Sequence, residues 1–372
     1  MRIAIDTIPL LSPLTGIGHY VDQLVRGFNR LAPDNDYTYY SGFFSKTPRR
    51  GGRHAEGLKK ILGKIPLLMS GLNRSRGALA RLGAREFDLY FQPNFIPLDI
   101  KAKKTVATVH DFAFMAPQPW HPKYRVEYFA KNFKKNIMRA DRIITDSAFI
   151  KNEALGVLGV PQDKISAIPL GVDHEVFRKR DPNELRAFKD QRGLSEPFIL
   201  FVGTLEPRKN LRRLLEAYLD LPEPVKKGYR LVLAGSEGWN SDDLREILAK
   251  MKDRVTYLGY LKTEEIACLY NLASLFVFPS LYEGFGLPPL EAMACGCPVV
   301  VSRAASLPEV CGDAAQYVDP EDARSISEGM HKVLSDEELR RRLSRAGEQR
   351  AQLFSWESAA KRTLAVFEEV LR

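Results

Sequence analysis

The chain has 372 residues, of which 45% are hydrophobic and 27% are charged. This composition is typical of a folded globular protein and excludes a collagen-like or fully disordered chain. The length favours two domains, because one core rarely serves more than about 250 to 300 residues. The formal net charge of +9 favours anionic partners, but it does not choose among nucleotide phosphates, anionic lipid and nucleic acid.

The sequence gives no sign of export or of a membrane span. The first strand-like run, residues 2–5, is interrupted at Asp6, so the N-terminus lacks the uninterrupted apolar stretch of a signal peptide. No run of about 18 to 20 apolar residues is present. We therefore expect a cytoplasmic protein, peripheral on the inner face of the plasma membrane if it meets a membrane. The four cysteines lack the paired spacing of a zinc or redox site and are expected to be reduced core residues.

Short β-branched runs alternate with amphipathic helical segments along the chain. This alternation predicts parallel βαβ units whose sheets carry helices on both faces. The predicted strands of the first half are residues 2–5, 37–40, 89–91, 105–109 and 142–145, and those of the second half are 198–202, 230–234, 255–258, 275–278 and 298–301. Each group is sufficient for one doubly wound sheet, which predicts an α/β protein with two Rossmann-like domains.

The domain boundary is predicted near Asp173. The stretch from Ile168 to Asp173 contains proline and glycine, and a polar segment follows it. We therefore predict an N-terminal domain at 1–173 and a C-terminal domain at 174–354. The last segment, 355–372, has apolar residues at helical spacing and is predicted to be a closing helix that packs back toward the N-terminal domain.

The region 46–85 is strongly basic and carries a single acid, Glu56. Apolar residues are interspersed among its cations, so it is predicted either to be a basic amphipathic element that binds anionic lipid or to be a solvated charged face over a core helix. A second such element is predicted between Tyr124 and Met138.

The most informative segment runs from Ser280 to Pro298 and joins two predicted strands. Gly284 and Gly286 permit close approach of the backbone to a ligand, and the two prolines that follow suit the first turn of a helix. The free amides of such a helix N-terminus bind phosphate or a hydroxyl-rich anion. Glu283 lies beside these amides. Glu291 lies about one turn into the helix, from where its carboxylate can accept hydrogen bonds from both hydroxyls of a ribose. A helix cap with a solvated acid is the alternative.

A second candidate segment, 198–211, contains a strand followed by Gly203, then Arg208 and Lys209, and then Asn210 as a helix cap. Two cations beside a helix N-terminus suit a diphosphate. They can stabilise the negative charge of a bound diphosphate in place of a divalent ion. The alternative is a pair of surface cations.

Two further patterns concern the first half of the chain. His110 ends a predicted strand, where its side chain is expected to point into a crevice between the domains. Asp34 and Asp36 match the Asp-x-Asp pattern of a metal-bound diphosphate, but their setting among turn formers between a helix and a strand predicts a turn. No metal site is therefore predicted.

The segment 280–298 closely resembles the Glu-x7-Glu signature of retaining glycosyltransferase family 4. The resemblance covers nearly the whole chain and includes the glycine loop at Gly16 and Gly18, although Val21 stands where a dinucleotide-binding motif would have its last glycine. It implies the GT-B fold, in which two Rossmann-like domains face a central cleft.

The resemblance also implies residue roles. His110 and Glu283 would be the catalytic residues, with His110 positioning the transferred sugar and Glu283 not acting as a covalent nucleophile. Donor-binding residues would be Gly16, Gly18, Gly203, Arg208, Lys209, Tyr260, Gly284, Phe285, Gly286, Leu287 and Glu291. No metal or other cofactor is implied.

The form of the segment 203–210 is most similar to bacterial mannosyltransferases of O-antigen and exopolysaccharide synthesis, which implies GDP-mannose as the donor. The acceptor is expected to be a glycan or a polyprenyl-diphosphate-linked glycan. The basic surface is expected to contact an anionic membrane. A UDP-sugar donor and a non-catalytic scaffold subunit that binds a nucleotide sugar remain open. Nucleic acid is disfavoured, because the basic region lacks interleaved aromatic platforms.

Overall fold

A computed structural model describes residues 1–12, 14, 16–51, 86–116, 120–239 and 242–372. The chain divides into two compact units. The first comprises Met1–Pro117, Lys123–Leu170 and Trp356–Arg372, and the second comprises Gln118–Pro122 and Gly171–Ser355. The predicted basic element at 46–85 lies outside the described residues from residue 52 onward.

The first unit is built on a sheet of seven strands among the described residues. These strands are β1 (Arg2–Asp6), β2 (Asp36–Tyr40), β3 (Phe44–Ser45), β4 (Phe87–Gln92), β5 (Ala102–Val109), β6 (Arg142–Thr145) and β7 (Ile165–Ala167). Their order is β3-β2-β1-β4-β5-β6-β7, and every neighbouring pair is parallel except β2 with β3.

The second unit is built on a parallel sheet that has six strands in the described part of the chain. They are β8 (Phe198–Val202), β9 (Arg230–Ala234), β10 (Val255–Tyr257), β11 (Leu275–Phe278), β12 (Val299–Ser302) and β13 (Gln316–Val318). The order is β10-β9-β8-β11-β12-β13. All residues of β8, β11 and β12 are buried, as continuous apolar runs covered on both faces require.

Helices follow most strands. In chain order they are α1 (Gly16–Leu31), α2 (Lys123–Ile137), α3 (Ala148–Leu158), α4 (Pro182–Gln191), α5 (Leu211–Leu219), α6 (Glu223–Gly228), α7 (Asp242–Lys250), α8 (Thr263–Leu272), α9 (Leu287–Ala294), α10 (Leu307–Cys311), α11 (Ala323–Ser335), α12 (Glu337–Ala351) and α13 (Trp356–Leu371). The last of these belongs to the core of the first unit, because the ring of Phe367 lies 5.5 Å from Phe28 and 5.1 Å from Phe91.

The predicted α/β class with two Rossmann-like sheets is confirmed. Each of the ten predicted strands overlaps an observed one, and the final helix begins at Trp356. The pattern missed β3, β7 and β13, which have only two or three residues each and lie at sheet edges. Such short runs are too brief to show an alternation of polar and apolar residues.

Both sheets reverse their strand order at one position. In the first sheet β1 lies between β2 and β4, and in the second β8 lies between β9 and β11. The connections from two adjacent strands then leave in opposite directions, which opens a crevice at their carboxyl ends. In the second unit, the loops that follow β8 and β11 therefore lie side by side.

Candidate active site

The predicted cations and Glu283 form one buried ion-pair cluster in the second unit. The Lys209 ammonium donates to Glu283 Oε1 at 2.7 Å, and Arg208 Nη1 lies 3.1 Å from Glu283 Oε2. Arg208 also pairs with Glu206 at 2.9 Å and donates to the carbonyl of Tyr282 at 2.7 Å. The pairing spans 74 residues of sequence and follows from the adjacency of β8 and β11.

Electrostatics keep Glu283 ionised. Burial alone would raise the pKa of its carboxyl, but the charges of Arg208 and Lys209 outweigh burial and lower this pKa below its ordinary value. The Lys209 ammonium also lies 4.9 Å from the centroid of the Phe278 ring. The site is thus a fixed group of two cations and two carboxylates.

The loop that holds Glu283 ends in the N-terminus of α9. Gly286 has φ of +109°, a conformation that L side chains rarely adopt, and a Cβ there would lie 2.6 Å from Leu307 Cδ2. The Ser306 hydroxyl lies 2.8 Å from the carbonyls of both Glu283 and Phe285. The loop is therefore held in one shape, with Gly284–Leu287 leading into the helix.

Glu291 lies in α9 and is separate from the ion-pair cluster. Its Oε2 accepts a hydrogen bond of 3.3 Å from the Tyr270 hydroxyl. Burial raises the pKa of Glu291 to about 7, against a smaller lowering by Tyr270. The carboxyl can therefore switch between its neutral and ionised forms near neutral pH.

The ends of β8, β9 and β10 meet at three glycines. The Gly203 amide donates to Ala234, and the Gly235 amide donates to Gly259, at 2.9 and 2.8 Å. A Cβ at Gly235 would lie 1.9 Å from the carbonyl oxygen of Gly203, so this contact admits only glycine. Tyr260, next to Gly259, is 53% exposed.

In the first unit, His110 is held at both ring nitrogens. Nδ1 lies 2.7 Å from Asp146 Oδ2, and Nε2 lies 2.8 Å from the carbonyl of Pro93. A carbonyl only accepts, so Nε2 carries a proton. Burial alone would lower the pKa of His110, but the charge and hydrogen bond of Asp146, with the Pro93 carbonyl, raise it. The three residues follow the adjacent strands β4, β5 and β6.

Aromatic rings pack around this histidine. Tyr20 and Phe95 meet its ring edge-to-face at 5.0 and 5.5 Å. The Tyr20 hydroxyl lies 2.9 Å from that of Thr108. Tyr20 belongs to α1, which begins at Gly16. A Cβ at Gly18 would lie 3.0 Å from Leu14 Cδ2, whereas one at Gly16 would meet no atom within 4 Å.

Sequence reasoning did not single out Glu206 or Asp146. Both are buried acids, 7% and 3% exposed, and each pairs with a predicted site residue. Their positions offered a signal, since Glu206 lies within the candidate segment 198–211 and Asp146 directly follows a predicted strand.

No helix among the described residues is long and apolar enough to cross a membrane. They also hold no group of three or more histidine, cysteine or acidic residues suited to binding a metal ion. Asp34 and Asn35 lie in a turn between α1 and β2, where Asp36 begins the strand.

The chain has two units that are each built on a largely parallel sheet, and two family profiles match it, one in each half of the sequence. The profile described as "Glycosyl transferases group 1" matches residues 183–350, and that of "Glycosyltransferase Family 4" matches residues 14–176. The chain belongs to this family and is a hexosyltransferase enzyme with the GT-B fold.

Several relatives that the chain resembles are named as mannosyltransferases. O-antigen chain mannosyltransferase B of Escherichia coli is 34% identical over 381 residues, covering 99% of each chain. Serotype-specific mannosyltransferase WbdA of E. coli is 33% identical over 288 residues, which span 74% of this chain and 35% of the relative. The MMP alpha-(1->4)-mannosyltransferase of Mycolicibacterium hassiacum is 31% identical over 72% of this chain and 65% of its own length.

Solved structures share the fold. Sucrose-phosphate synthase from Thermosynechococcus elongatus has a TM-score of 0.70 at 22% identity, covering 99% of this chain and 98% of its own. WaaG, a glycosyltransferase involved in lipopolysaccharide biosynthesis, has a TM-score of 0.70 at 14% identity, covering 98% and 99%.

Proposed function

We propose that this hexosyltransferase transfers mannose from GDP-mannose to a glycan or a polyprenyl-diphosphate-linked glycan in bacterial polysaccharide or O-antigen synthesis. The observation that carries the proposal is the Lys209–Glu283–Arg208 cluster at the carboxyl ends of β8 and β11. The choice of mannose is supported by the full-length and partial relatives that are named as mannosyltransferases.

Arg208 and Lys209 would hold the donor diphosphate. Departure of the nucleoside diphosphate concentrates negative charge on its terminal phosphate, and two buried cations stabilise that charge without rearrangement. They would replace a divalent ion in this role, so we expect turnover to be independent of metal. Glu291 would accept hydrogen bonds from the ribose hydroxyls, and the guanine would lie against the backbone near Gly259 and Tyr260.

The reaction would retain the anomeric configuration. The acceptor hydroxyl oxygen attacks the anomeric carbon on the face from which the diphosphate leaves. The bond from that carbon to the phosphate oxygen breaks, the bond to the acceptor oxygen forms, and the leaving phosphate takes the hydroxyl proton. Glu283 is an unsuitable covalent nucleophile, because both of its oxygens are already paired with cations. It would instead, with the amides of Gly284–Leu287, position the sugar.

His110 would contribute charge and position rather than proton transfer. Its Nε2 proton is committed to the Pro93 carbonyl and its Nδ1 to Asp146. A raised pKa favours the imidazolium form, which is a fixed positive group in a buried setting.

A peripheral membrane contact is proposed for the first unit. Helix α2 exposes Tyr124 and Val126, at 43% and 36%, among the cations Lys123, Lys131, Lys134 and Lys135. Such a face suits anionic lipid, where a polyprenyl-linked acceptor would lie. Flotation should then occur with anionic but not with neutral liposomes, and absence of flotation with both would refute this part.

The donor can be identified by thermal shift. GDP-mannose, UDP-glucose, UDP-GlcNAc and ADP-glucose would each be added with and without EDTA. We expect stabilisation by GDP-mannose that survives EDTA, followed by NMR of the product anomer to verify retention. Stabilisation by a UDP-sugar instead would identify that sugar nucleotide as the donor in place of GDP-mannose. No stabilisation by any of the four would favour a scaffold subunit.

A further inference from the structure

Four aromatic side chains form a cluster beside the ion-pair site of the second unit. The rings of Trp120 and Tyr282 lie 5.9 Å apart at 31°, and those of His121 and Trp239 lie 5.3 Å apart at 40°. The Trp239 indole N–H donates to the carbonyl of Trp120, which joins the two pairs. All four residues are partly buried and partly open to solvent. We call Trp120, His121, Trp239 and Tyr282 the aromatic wall.

The wall is fixed to the loops of the proposed donor site. Tyr282 directly precedes Glu283, and its carbonyl accepts from Arg208. Trp239 lies in the loop after β9, and that loop is bonded to Leu205, since Leu205 donates to Ser236 at 2.9 Å and Gly238 donates to Leu205 at 3.1 Å. The wall therefore shares its backbone supports with Arg208 and Glu206.

Trp120 and His121 come from a different part of the chain. They belong to a short segment that is part of the second unit. In the sequence, this segment lies between two stretches of the first unit. No described strand or helix includes residues 120–122. Packing of the sheet and helix layers therefore does not explain the position of Trp120 and His121. Two of the three tryptophans of the sequence are thus placed at one site.

We propose that the aromatic wall is a carbohydrate subsite that binds the acceptor sugar, an inference that rests on the proposed transferase function. One face of a hexopyranose carries C–H groups, which pack well against the electron-rich face of an indole or phenol ring. The hydroxyls at its rim stay in contact with water. Partly exposed tryptophans beside a polar loop match both requirements.

The position of the aromatic wall favours the acceptor sugar over the nucleotide as its ligand. Tyr282 adjoins Glu283 and Arg208, where the diphosphate and transferred sugar are proposed to lie. The ribose is assigned to Glu291, which is in α9 and bonded to Tyr270 in α8. The wall thus lies at the sugar end of the donor site, which is the end that an acceptor hydroxyl must reach.

A kinetic experiment tests the wall. W120A and W239A would be assayed with GDP-mannose and an α-linked mannobiose as the acceptor probe, and donor hydrolysis would be measured without acceptor. We expect KM for mannobiose to rise about tenfold or more, which corresponds to about 1.4 kcal/mol. Hydrolysis should stay near the wild-type rate, and W239F, which keeps an aromatic face, should recover most of the affinity.

Tyr229→Ala is the matched control. Tyr229 is also partly buried and belongs to the second unit, but it precedes β9 at the amino-terminal end of that strand, whereas the site lies at the carboxyl ends. It should leave KM unchanged. An unchanged KM in W120A and W239A would overturn the proposal. Equal losses of transfer and hydrolysis would also overturn it, because they would mean that the wall only supports the donor loops.

A binding experiment separates this proposal from the proposed function. In W356F, both remaining tryptophans belong to the wall, so its fluorescence reports on the wall alone. Addition of mannobiose should change the emission even if the enzyme consumes no GDP-mannose, an outcome that would refute the donor assignment and leave the wall standing. No change at any soluble concentration of mannobiose would refute the wall.

Discussion

Lys209 and Glu283 form a hydrogen-bonded ion pair of 2.7 Å whose side chains are only 10% and 8% exposed. The two residues belong to loops that follow adjacent strands, so the sheet itself sets their separation. A buried pair of this kind is costly to break, because removal of one partner leaves an uncompensated charge. It also has a chemical use, since the ammonium is available for a second anion when a diphosphate binds.

Lys209→Met should abolish most transfer and lower stability. Loss of one fixed cation from a charge-stabilising site costs a factor of about 10² to 10³ in kcat. Removal of one member of a buried pair costs about 3 to 5 kcal/mol, which should lower Tm. In the double variant K209M/E283Q, part of the stability should return without activity, and a thermodynamic cycle would measure the coupling.

Lys226→Met is the control for this prediction. Lys226 is a 13% exposed side chain that pairs with Glu223 at 2.9 Å, in the short helix α6 of the same unit. It should retain near-wild-type turnover. Near-wild-type activity in K209M would contradict the assignment of Lys209 to the donor.

Glu291 should make donor affinity depend on pH around neutrality. Its carboxyl has a pKa of about 7 as a result of burial, and the ionised form is the stronger acceptor for ribose hydroxyls. Donor KM should therefore fall as pH rises from about 6 to about 8, by up to tenfold, because the ionised fraction changes by about that factor. Glu291→Gln should flatten this profile.

Tyr270→Phe provides the matched test of the cause. The Tyr270 hydroxyl lowers the pKa of Glu291, so its removal should move the midpoint of the profile upward. As pH rises, the stability of the wild-type protein should fall while its affinity for the donor increases. A folded-state pKa above the ordinary 4.5 means that stability is lost as pH rises from 4.5 through about 7. We therefore expect a higher Tm for E291Q than for wild type at alkaline pH, and a wild-type pH profile of KM in E291Q would refute the role.

The individual loops of the site were readable from the sequence, but their pairing was not. The residue types from Leu275 to Pro298 predict a strand, a glycine loop and a helix N-terminus, and the structure has them. The contact between Lys209 and Glu283 depends on β8 lying next to β11, an order that local periodicity does not encode. The resemblance to a known family supplied what the local pattern lacked.

Asp146 is a second residue whose role could not be predicted from the local sequence. Its residue type and its position after β6 resemble those of many solvated acids at strand ends. Only the neighbouring positions of β5 and β6 bring it within 2.7 Å of His110. The wall residue Trp120 is a stronger case, because it lies outside every described helix and strand. A long-range contact between loops leaves no periodic trace.

The pair of His110 and Asp146 should make stability fall at alkaline pH. The pKa of His110 is raised above the ordinary 6.5, so its stabilising contribution is complete below 6.5 and is lost as pH rises through the folded-state value. Asp146→Asn should lower Tm at acidic pH and remove much of this slope. Thermal unfolding from about pH 5 to about pH 9 would measure it.

His331→Gln is the reference variant for that series. His331 is exposed in α11, so its replacement should leave the wild-type slope in place. If D146N keeps the same slope as wild type, the ion pair with Asp146 is not its source.

Gly286 should tolerate no side chain. Its φ of +109° strains any L residue, by about 1 to 3 kcal/mol, and a Cβ would lie 2.6 Å from a carbon of buried Leu307. Gly286→Ala should therefore displace the segment that joins Glu283 to α9, with a lower Tm and a larger loss of kcat/KM than the loss of stability alone produces.

Gly156→Ala separates the two causes. Gly156 lies within α3, where an added Cβ meets no atom within 4 Å, so alanine should stabilise the helix by about 0.5 to 1 kcal/mol. Combining the two substitutions should restore part of the lost Tm and none of the lost kcat/KM, because only the loop at Gly286 positions Glu283. Recovery of activity together with Tm would show instead that G286A acts through global stability.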